Sequence, residues 1–327
     1  MTSISVIICA HTAERWDATL AAVASVRAQT LPAAEIILIV DHNPELQERL
    51  AGSLPGVRVT GNAEQRGLSG GKNTGIALAR GAVVAFLDDD AVAGPRWLEF
   101  LAESYADPAV AGAGGLTLPR WQERQPWWYP EELAWVIGCS YRGMPTSRAP
   151  VRNLHGGNAS FRRDVFAAVG GFTSGIGRSA GKRPLGGEET EFCIRLTQQR
   201  PGSVLIFDDR AVIWHLIPAA RSRFSYFRAR CYAEGLSKAM VTASVGAGDG
   251  LSTERRYTVR TLPLGVARGL LDLVRGRPAG LGRAAVIVAG LAAAMAGYLI
   301  GSLRRPAWRR TPDDGAGGAG APGGVSR

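Results

Sequence analysis

The sequence lacks the features of a disulfide scaffold, a zinc module or a secreted chain. Its four cysteines (Cys9, Cys139, Cys193 and Cys231) lie far apart, with no CxxC pair and no histidine at zinc spacing. That pattern excludes a disulfide framework or a structural zinc and fits idle thiols in a reducing compartment. Lysine is almost missing, with Lys72, Lys182 and Lys238 set against many arginines. The N-terminus has no basic n-region, and the apolar run around Ser5-Val-Ile-Ile-Cys9 is too short for a signal peptide. It reads as a buried strand, and the folded part of the chain is expected in the cytoplasm. Excess charge is also missing from the first two thirds: residues 1–215 hold 21 Lys/Arg and 22 Asp/Glu, whereas residues 216–327 hold 17 and 6. A basic nucleic-acid-binding core is thereby excluded, and no nucleic-acid partner is expected. A basic segment beside an apolar one points to anionic membrane lipids instead.

What is present is a folded chain of 327 residues, 46% hydrophobic and 20% charged, enough for one or two domains. From Ile4 to about Val110, apolar β-branched runs alternate with helical stretches. Strands are expected at Ser5-Val-Ile-Ile-Cys9, at Glu35-Ile-Ile-Leu-Ile-Val40, at Val57-Arg-Val-Thr60 and at Ala82-Val-Val-Ala-Phe-Leu87. Continuous apolar strands between helices predict an α/β fold whose mostly parallel sheet is covered on both faces. Ligands of such sheets collect at the carboxyl ends of the strands, where Asp41 and Asp88-Asp89-Asp90 fall. Residues 115–150 lose the rhythm and become rich in Trp, Tyr and Pro. A later strand is expected to end at His215, and residues 311–327 are dominated by Gly, Ala and Pro, a composition that predicts disorder.

Several constellations can carry chemistry. Side chains alternate along an extended chain, so Asp88 and Asp90 are expected to project together while Asp89 turns away. Two such carboxylates suit Mg²⁺ or Mn²⁺, and an imidazole at another strand end, His215, could complete the site. The competing reading is an acidic turn capping the next helix. Glu188 and Glu189 precede an amphipathic helix, where acids either stabilise the helix start or supply a general base. Gly67-Leu-Ser-Gly-Gly-Lys72-Asn73 reads as a glycine-rich loop leading into a helix. Its spacing departs from a Walker loop, yet it can approach a diphosphate closely.

In order, these segments resemble family 2 glycosyltransferases of the GT-A fold over about residues 4–240. The matching positions are the first strand, Asp41, Asn62 with Gly67 and Lys72-Asn73, the Asp88/Asp90 pair, Gly157-Asn158-Ala-Ser-Phe161, Glu188-Glu189, and His215. The resemblance implies a nucleotide-diphosphate sugar donor, UDP-linked, held by Asp41, Lys72, Asn73 and Asp88. It implies a divalent ion on Asp88, Asp90 and His215, acceptor contacts from Asn158 and Glu188, and Glu189 as the base of an inverting transfer. Three departures stand out: Ala10-His11-Thr12-Ala13 after the first strand, His42 after Asp41, and glutamate rather than aspartate at 189. The rivals are a sugar nucleotidyltransferase, whose Gly- and Arg-rich triphosphate loop is missing, and a non-catalytic scaffold of the same fold.

The C-terminal segment Arg230-Cys231-Tyr232-Ala233-Glu234-Gly235-Leu236-Ser237-Lys238 is similar to one in transferases that decorate polyprenyl-linked or extracellular glycans, which implies such an acceptor. Residues 284–303 carry no charge and are long enough, at ~30 Å, to span a bilayer. The expected organisation is a catalytic domain at 1–240, with a nucleotide-sugar half (1–115) and an acceptor half (116–240). A basic helical membrane region follows at 241–310, and the whole would sit at the cytoplasmic face of the cell membrane.

Overall fold

A computed structural model describes residues 2–177 and 185–303. The first part alternates as its apolar pattern predicts. The elements are β1 (Ile4–Ala10), α1 (Trp16–Arg27), β2 (Glu35–Val40), α2 (Pro44–Ser53), β3 (Arg58–Gly61), α3 (Leu68–Leu78) and β4 (Val83–Asp88). Asn43 starts α2 by accepting a hydrogen bond from Leu46 N, with Pro44 in the first turn. The expected glycine-rich loop is a correction. Gly70 and Gly71 lie inside α3, because only Gly67, at φ 125°, takes the conformation that favours glycine, and the helix starts directly after it.

The chain continues through β5 (Ala91–Ala93), α4 (Trp97–Ser104), β6 (Val110–Trp121), β7 (Ala149–Pro150), β8 (Asn158–Arg162), α5 (Arg163–Val169), α6 (Glu188–Gln199) and β9 (Val204–Ile217). The main order across the sheet is β3-β2-β1-β4-β8-β6-β9-β5, with β7 added beside β9. Strands β3, β2, β1 and β4 are parallel. Beyond them the sheet is mixed: β8 runs antiparallel to β4 and β6, and β5 antiparallel to β9. The parallel arrangement read from residues 1–110 therefore holds for that half only. One apolar cluster, including Val6, Ile8, Leu38, Val40, Trp97 and Leu101, covers one face, and another, including Ile7, Ile37, Phe86, Phe161, Phe166 and Phe192, covers the other. The four strands from β3 to β4 are thereby fixed, and their carboxyl ends open on one side.

The last part is helical: α7 (Phe224–Val245), α8 (Ala247–Gly250), α9 (Ser252–Arg256), a π-helical turn at Tyr257–Thr261, α10 (Leu262–Val274) and α11 (Ala279–Leu303). The boundary drawn at residue 240 falls inside α7. Helices α7 and α11 approach to backbone contact. A Cβ on Gly235 would lie 2.0 Å from the Ala294 carbonyl, and one on Gly297 2.0 Å from that of Tyr232. Only glycine fits there. The aromatic segment after β6 packs beneath this layer: Tyr129, Leu133, Val136 and Ile137 share a core with Phe227, Cys231, Leu262 and Ile287. Among the described residues, α11 is the one helix long and apolar enough to cross a membrane. Leu270, Leu271 and Val274 of α10 and Leu281, Val288 and Met295 of α11 are exposed. The expected disordered tail and residues 304–310 lie outside the described residues.

Candidate active site

The carboxyl ends of the strands open into a cavity of about 1160 Å³. At one end Asp41 follows β2. Its carboxylate accepts hydrogen bonds from Asn62 Nδ2 (2.7 Å) and from the Gly67 amide (3.1 Å). Against the desolvation of burial, these donors and His42 hold it below the usual carboxylate range. His42, the departure noted in the sequence, adopts φ 51° and places Nδ1 2.9 Å from Asp41.

In the middle, strand register assembles the acids and the imidazole. β1 pairs Cys9 with Asp88, while β5 pairs Ala91 with His215, which sets Asp90 beside the imidazole. His215 Nε2 lies 3.1 Å from Asp90 Oδ1 and 3.3 Å from an Arg221 nitrogen. Asp88, Asp90 and His215 each offer a ligand atom, and these atoms lie within 4.8 Å of one another. Two hard carboxylates and one imidazole in that space fit Mg²⁺ or Mn²⁺. Gly157 leaves the room: a Cβ there would come 2.3 Å from Asp88 Oδ2. The expected strand alternation does not extend here: β4 ends at Asp88, Asp89 and Asp90 lie in the turn after it, and one Arg15 nitrogen bridges them, 2.6 Å from Asp89 and 3.1 Å from Asp90. Burial pushes Asp89 up to about 6. Asp90 is buried too, but His215, Arg15 and Arg221 hold it well below the usual range.

Beyond lies the start of α6. Glu188 is buried and pairs with Lys72 Nζ at 3.4 Å. Lys72 sits over the rings of Phe172 (5.0 Å) and Phe86 (5.7 Å). Its burial favours the neutral amine, yet Glu188, Glu189 and Asp88 outweigh that and hold it above the usual lysine range. Glu189 shares the cavity wall. Burial, with the neighbouring Glu188 charge, pushes its carboxyl up to about 8, while Lys72 pulls the other way.

The structure therefore brings Asp41, Asp88, Asp90, Glu188, Glu189 and His215 to one cavity, with Lys72 directly behind the two glutamates. Three expected contacts fall elsewhere, the first being Lys72, expected at the donor, whose ammonium is buried against Glu188 and does not line the cavity. Asn158, expected at the acceptor, is fully buried: its Oδ1 accepts from Trp97 Nε1 (2.8 Å), and its Nδ2 donates to the carbonyls of Leu116 and Ala211. With both donors and one acceptor site spent and no exposed surface, that amide is out of a ligand's reach. Asn73, expected at the donor, clasps the Phe172 backbone through both its Nδ2 and Oδ1. Both asparagines build the fold behind the site.

Sequence reasoning missed the charged far wall. Arg230, Glu234 and Lys238 recur four residues apart on α7, so one helical face carries them; that spacing was the available signal. Arg15 and Arg221 were missed as well, because only folding brings them to Asp90.

An α/β sheet with metal-compatible acids at strand ends and a paired glutamate at a helix start is the architecture of an enzyme that handles a metal-bound diphosphate. The sequence profile of Glycosyl transferase family 2 matches residues 5–170. The glucosyl-dolichyl phosphate glucuronosyltransferase of Haloferax volcanii is 36% identical over 239 residues, covering 72% of this chain and 76% of that protein. The chain belongs to glycosyltransferase family 2. It is a glycosyltransferase, which sets aside the nucleotidyltransferase and scaffold readings. Two solved structures share the GT-A fold. The mannosyltransferase PcManGT of Pyrobaculum calidifontis, solved with GDP-Man and Mn²⁺, has a TM-score of 0.54 and 16% identity, over 89% of this chain and 86% of its own. GalNAc-T7, solved with UDP, GalNAc and Mn²⁺, has a TM-score of 0.51 and 19% identity over 79% of this chain. The present chain spans about half of GalNAc-T7, at 54% of its length.

Proposed function

We propose that this enzyme moves a sugar from a nucleotide diphosphate, UDP-linked, to a hydroxyl of a glycan carried on a lipid phosphate, inverting the anomeric centre. One observation carries the reading: a single cavity joins Asp41, the Asp88–Asp90–His215 triad, Glu189 and the apolar wall of α11. The Haloferax relative, named for a dolichyl-phosphate substrate, supports the lipid-linked acceptor. Asp41, held as a carboxylate by Asn62 and Gly67, accepts hydrogen bonds from the nucleotide. Bound at Asp88, Asp90 and His215, Mg²⁺ or Mn²⁺ supplies positive charge against the departing diphosphate. Lys72, paired with Glu188 behind the cavity wall, holds that carboxylate in place beside Glu189. Glu189 takes the proton from the attacking hydroxyl; its pKa, raised to about 8, makes it a stronger base than an ordinary carboxylate.

In the same reading, residues 1–240 form the catalytic unit and the α10–α11 hairpin rests in the cytoplasmic leaflet. Its exposed Leu270, Leu271, Leu281 and Val288 support this placement, since each aliphatic side chain removed from water contributes about 1.5–3 kcal/mol. The test incubates the full-length protein with a panel of UDP- and GDP-linked sugars, Mn²⁺ and glucosyl dodecyl phosphate in micelles. Nucleoside diphosphate release that requires both metal and acceptor is expected. Release that ignores chelator, or no release with any donor, would overturn the reading.

A further inference from the structure

The far wall of the cavity holds a charged network that the transfer chemistry does not use. Arg230 Nη1 lies 2.8 Å from Glu234, Lys238 Nζ lies 3.5 Å from Glu234 and 2.6 Å from Glu254, and Arg152 lies 2.6 Å from Glu254. All five side chains line the cavity and are at most a quarter exposed. Three cations share two carboxylates, so the network itself carries one positive charge in excess. Burial opposes the charge on Lys238, Glu234 and Glu254, yet their mutual pairing holds the lysine above its usual range and the carboxyls below theirs, Glu254 at about 2. A partly buried excess charge is expensive unless an anion meets it.

Two further observations say which anion. The network reaches the catalytic helix start, because a Cβ on Gly186, two residues before Glu188, would lie 3.1 Å from an Arg230 guanidinium nitrogen. On its other side the cavity ends in apolar residues of α11. Met295 and Leu299 line it and are also 56% and 60% exposed, so the cavity opens onto an apolar helix face. A ligand reaching from Glu189 to that mouth passes the cationic network and then the apolar face of α11. We propose that Arg230, Lys238 and Arg152 form the phosphate subsite for a glycosyl lipid phosphate, with the chain leaving past Met295 and Leu299. A glycosyl phosphodiester has one negative charge, matching the excess, and arginine forks suit its oxygens. The inference rests on the lipid-linked acceptor proposed above and adds where its phosphate is read.

Binding, measured without turnover, tests it. Full-length protein in decyl maltoside micelles is titrated calorimetrically with glucosyl dodecyl phosphate, and separately with dodecyl glucoside, which lacks the phosphate. The wild type should prefer the phosphate compound by about tenfold or more, and Lys238→Met and Arg230→Met should each erase most of that preference. Glu254→Gln frees Lys238 and Arg152 from a competing carboxylate, so it should strengthen phosphate binding severalfold. A network that merely braces α9 against α7 would instead weaken binding in Glu254→Gln, and that result overturns the proposal even if the methionine variants fail to fold. No phosphate preference in the wild type would also overturn it, as would methionine variants that lose nucleotide-sugar affinity while keeping the preference. An enzyme that transfers to neither glucoside yet shows the preference would defeat the proposed acceptor reaction and keep the subsite. One that transfers to both while binding them equally would do the reverse.

Discussion

The two ends of the cavity are built in different ways. The end at Asp41, Asp88 and His215 hangs on strand termini, where register dictates neighbours: β1 beside β4 sets Cys9 against Asp88, and β5 beside β9 sets Ala91 against His215. The far end is built from helices, with Arg230, Glu234 and Lys238 on α7, Glu254 on α9 and the apolar wall on α11. A strand terminus fixes a side chain to within one residue of register, because a slip would turn the whole buried set outward. Helices set their faces by packing, and here that packing depends on glycine contacts between α7 and α11. The strand-built end suits a charged diphosphate and a metal that need fixed geometry. The helix-built end can accommodate a long, variable acceptor.

Substitutions at the two ends should therefore differ in kind. The largest effect belongs to the strand end: Asp90→Asn should lower turnover by about 10³-fold or more, since it removes a ligand charge beside the departing diphosphate. Manganese binding, followed by electron paramagnetic resonance, should weaken in the same variant; unchanged binding with full activity would remove Asp90 from the metal site. At the helix end, Leu271→Glu with Val288→Glu should lower the fraction bound to anionic lipid vesicles by about tenfold or more, because both side chains are exposed on the hairpin. Turnover on a short-chain soluble acceptor should hardly change, and undiminished vesicle binding would place the membrane contact elsewhere. The smallest effect is expected behind the strand end. Asn158→Ala strands the Trp97 indole N–H and two carbonyls, so it should cost about 1–3 kcal/mol of stability. Thermal denaturation reads that loss; a raised acceptor KM with unchanged stability would instead return Asn158 to the acceptor site.

The same contrast explains what could be read from the chain. The strands ending at Asp41 and Asp88 were legible because an unbroken apolar run before an acid is a local pattern. The triad with His215 was legible through the family resemblance together with that pattern. Asn73 and Asn158 show the limit: each matches a family motif, yet each is spent on the fold, Asn73 on Phe172 and Asn158 on Trp97. Residue type and spacing cannot distinguish an amide that holds a ligand from one that holds a loop. The mixed half of the sheet was hidden as well, since β8 inserts between β4 and β6 through contacts distant in sequence. On α7 the four-residue spacing was visible, but nothing local says that Glu254 and Arg152 complete the network.

Glu189 stands where the two ends meet, and comparing it with Glu188 tests the mechanism most directly. Transfer kinetics are measured from pH 5.5 to 9.5 for the wild type, Glu189→Gln and Glu188→Gln, with donor affinity determined in parallel. A base must be deprotonated to act, and Glu189 is pushed up to about 8. Wild-type kcat/KM should therefore rise by about tenfold per pH unit below that value and level off above it. Glu189→Gln should lower kcat by about 10²-fold or more with donor affinity nearly unchanged, and the rising limb should vanish. Glu188→Gln, whose native partner is Lys72, should keep the limb and lose less activity. An inactive Glu188→Gln beside an active Glu189→Gln would contradict the assignment of the base, as would a rising limb that survives in Glu189→Gln.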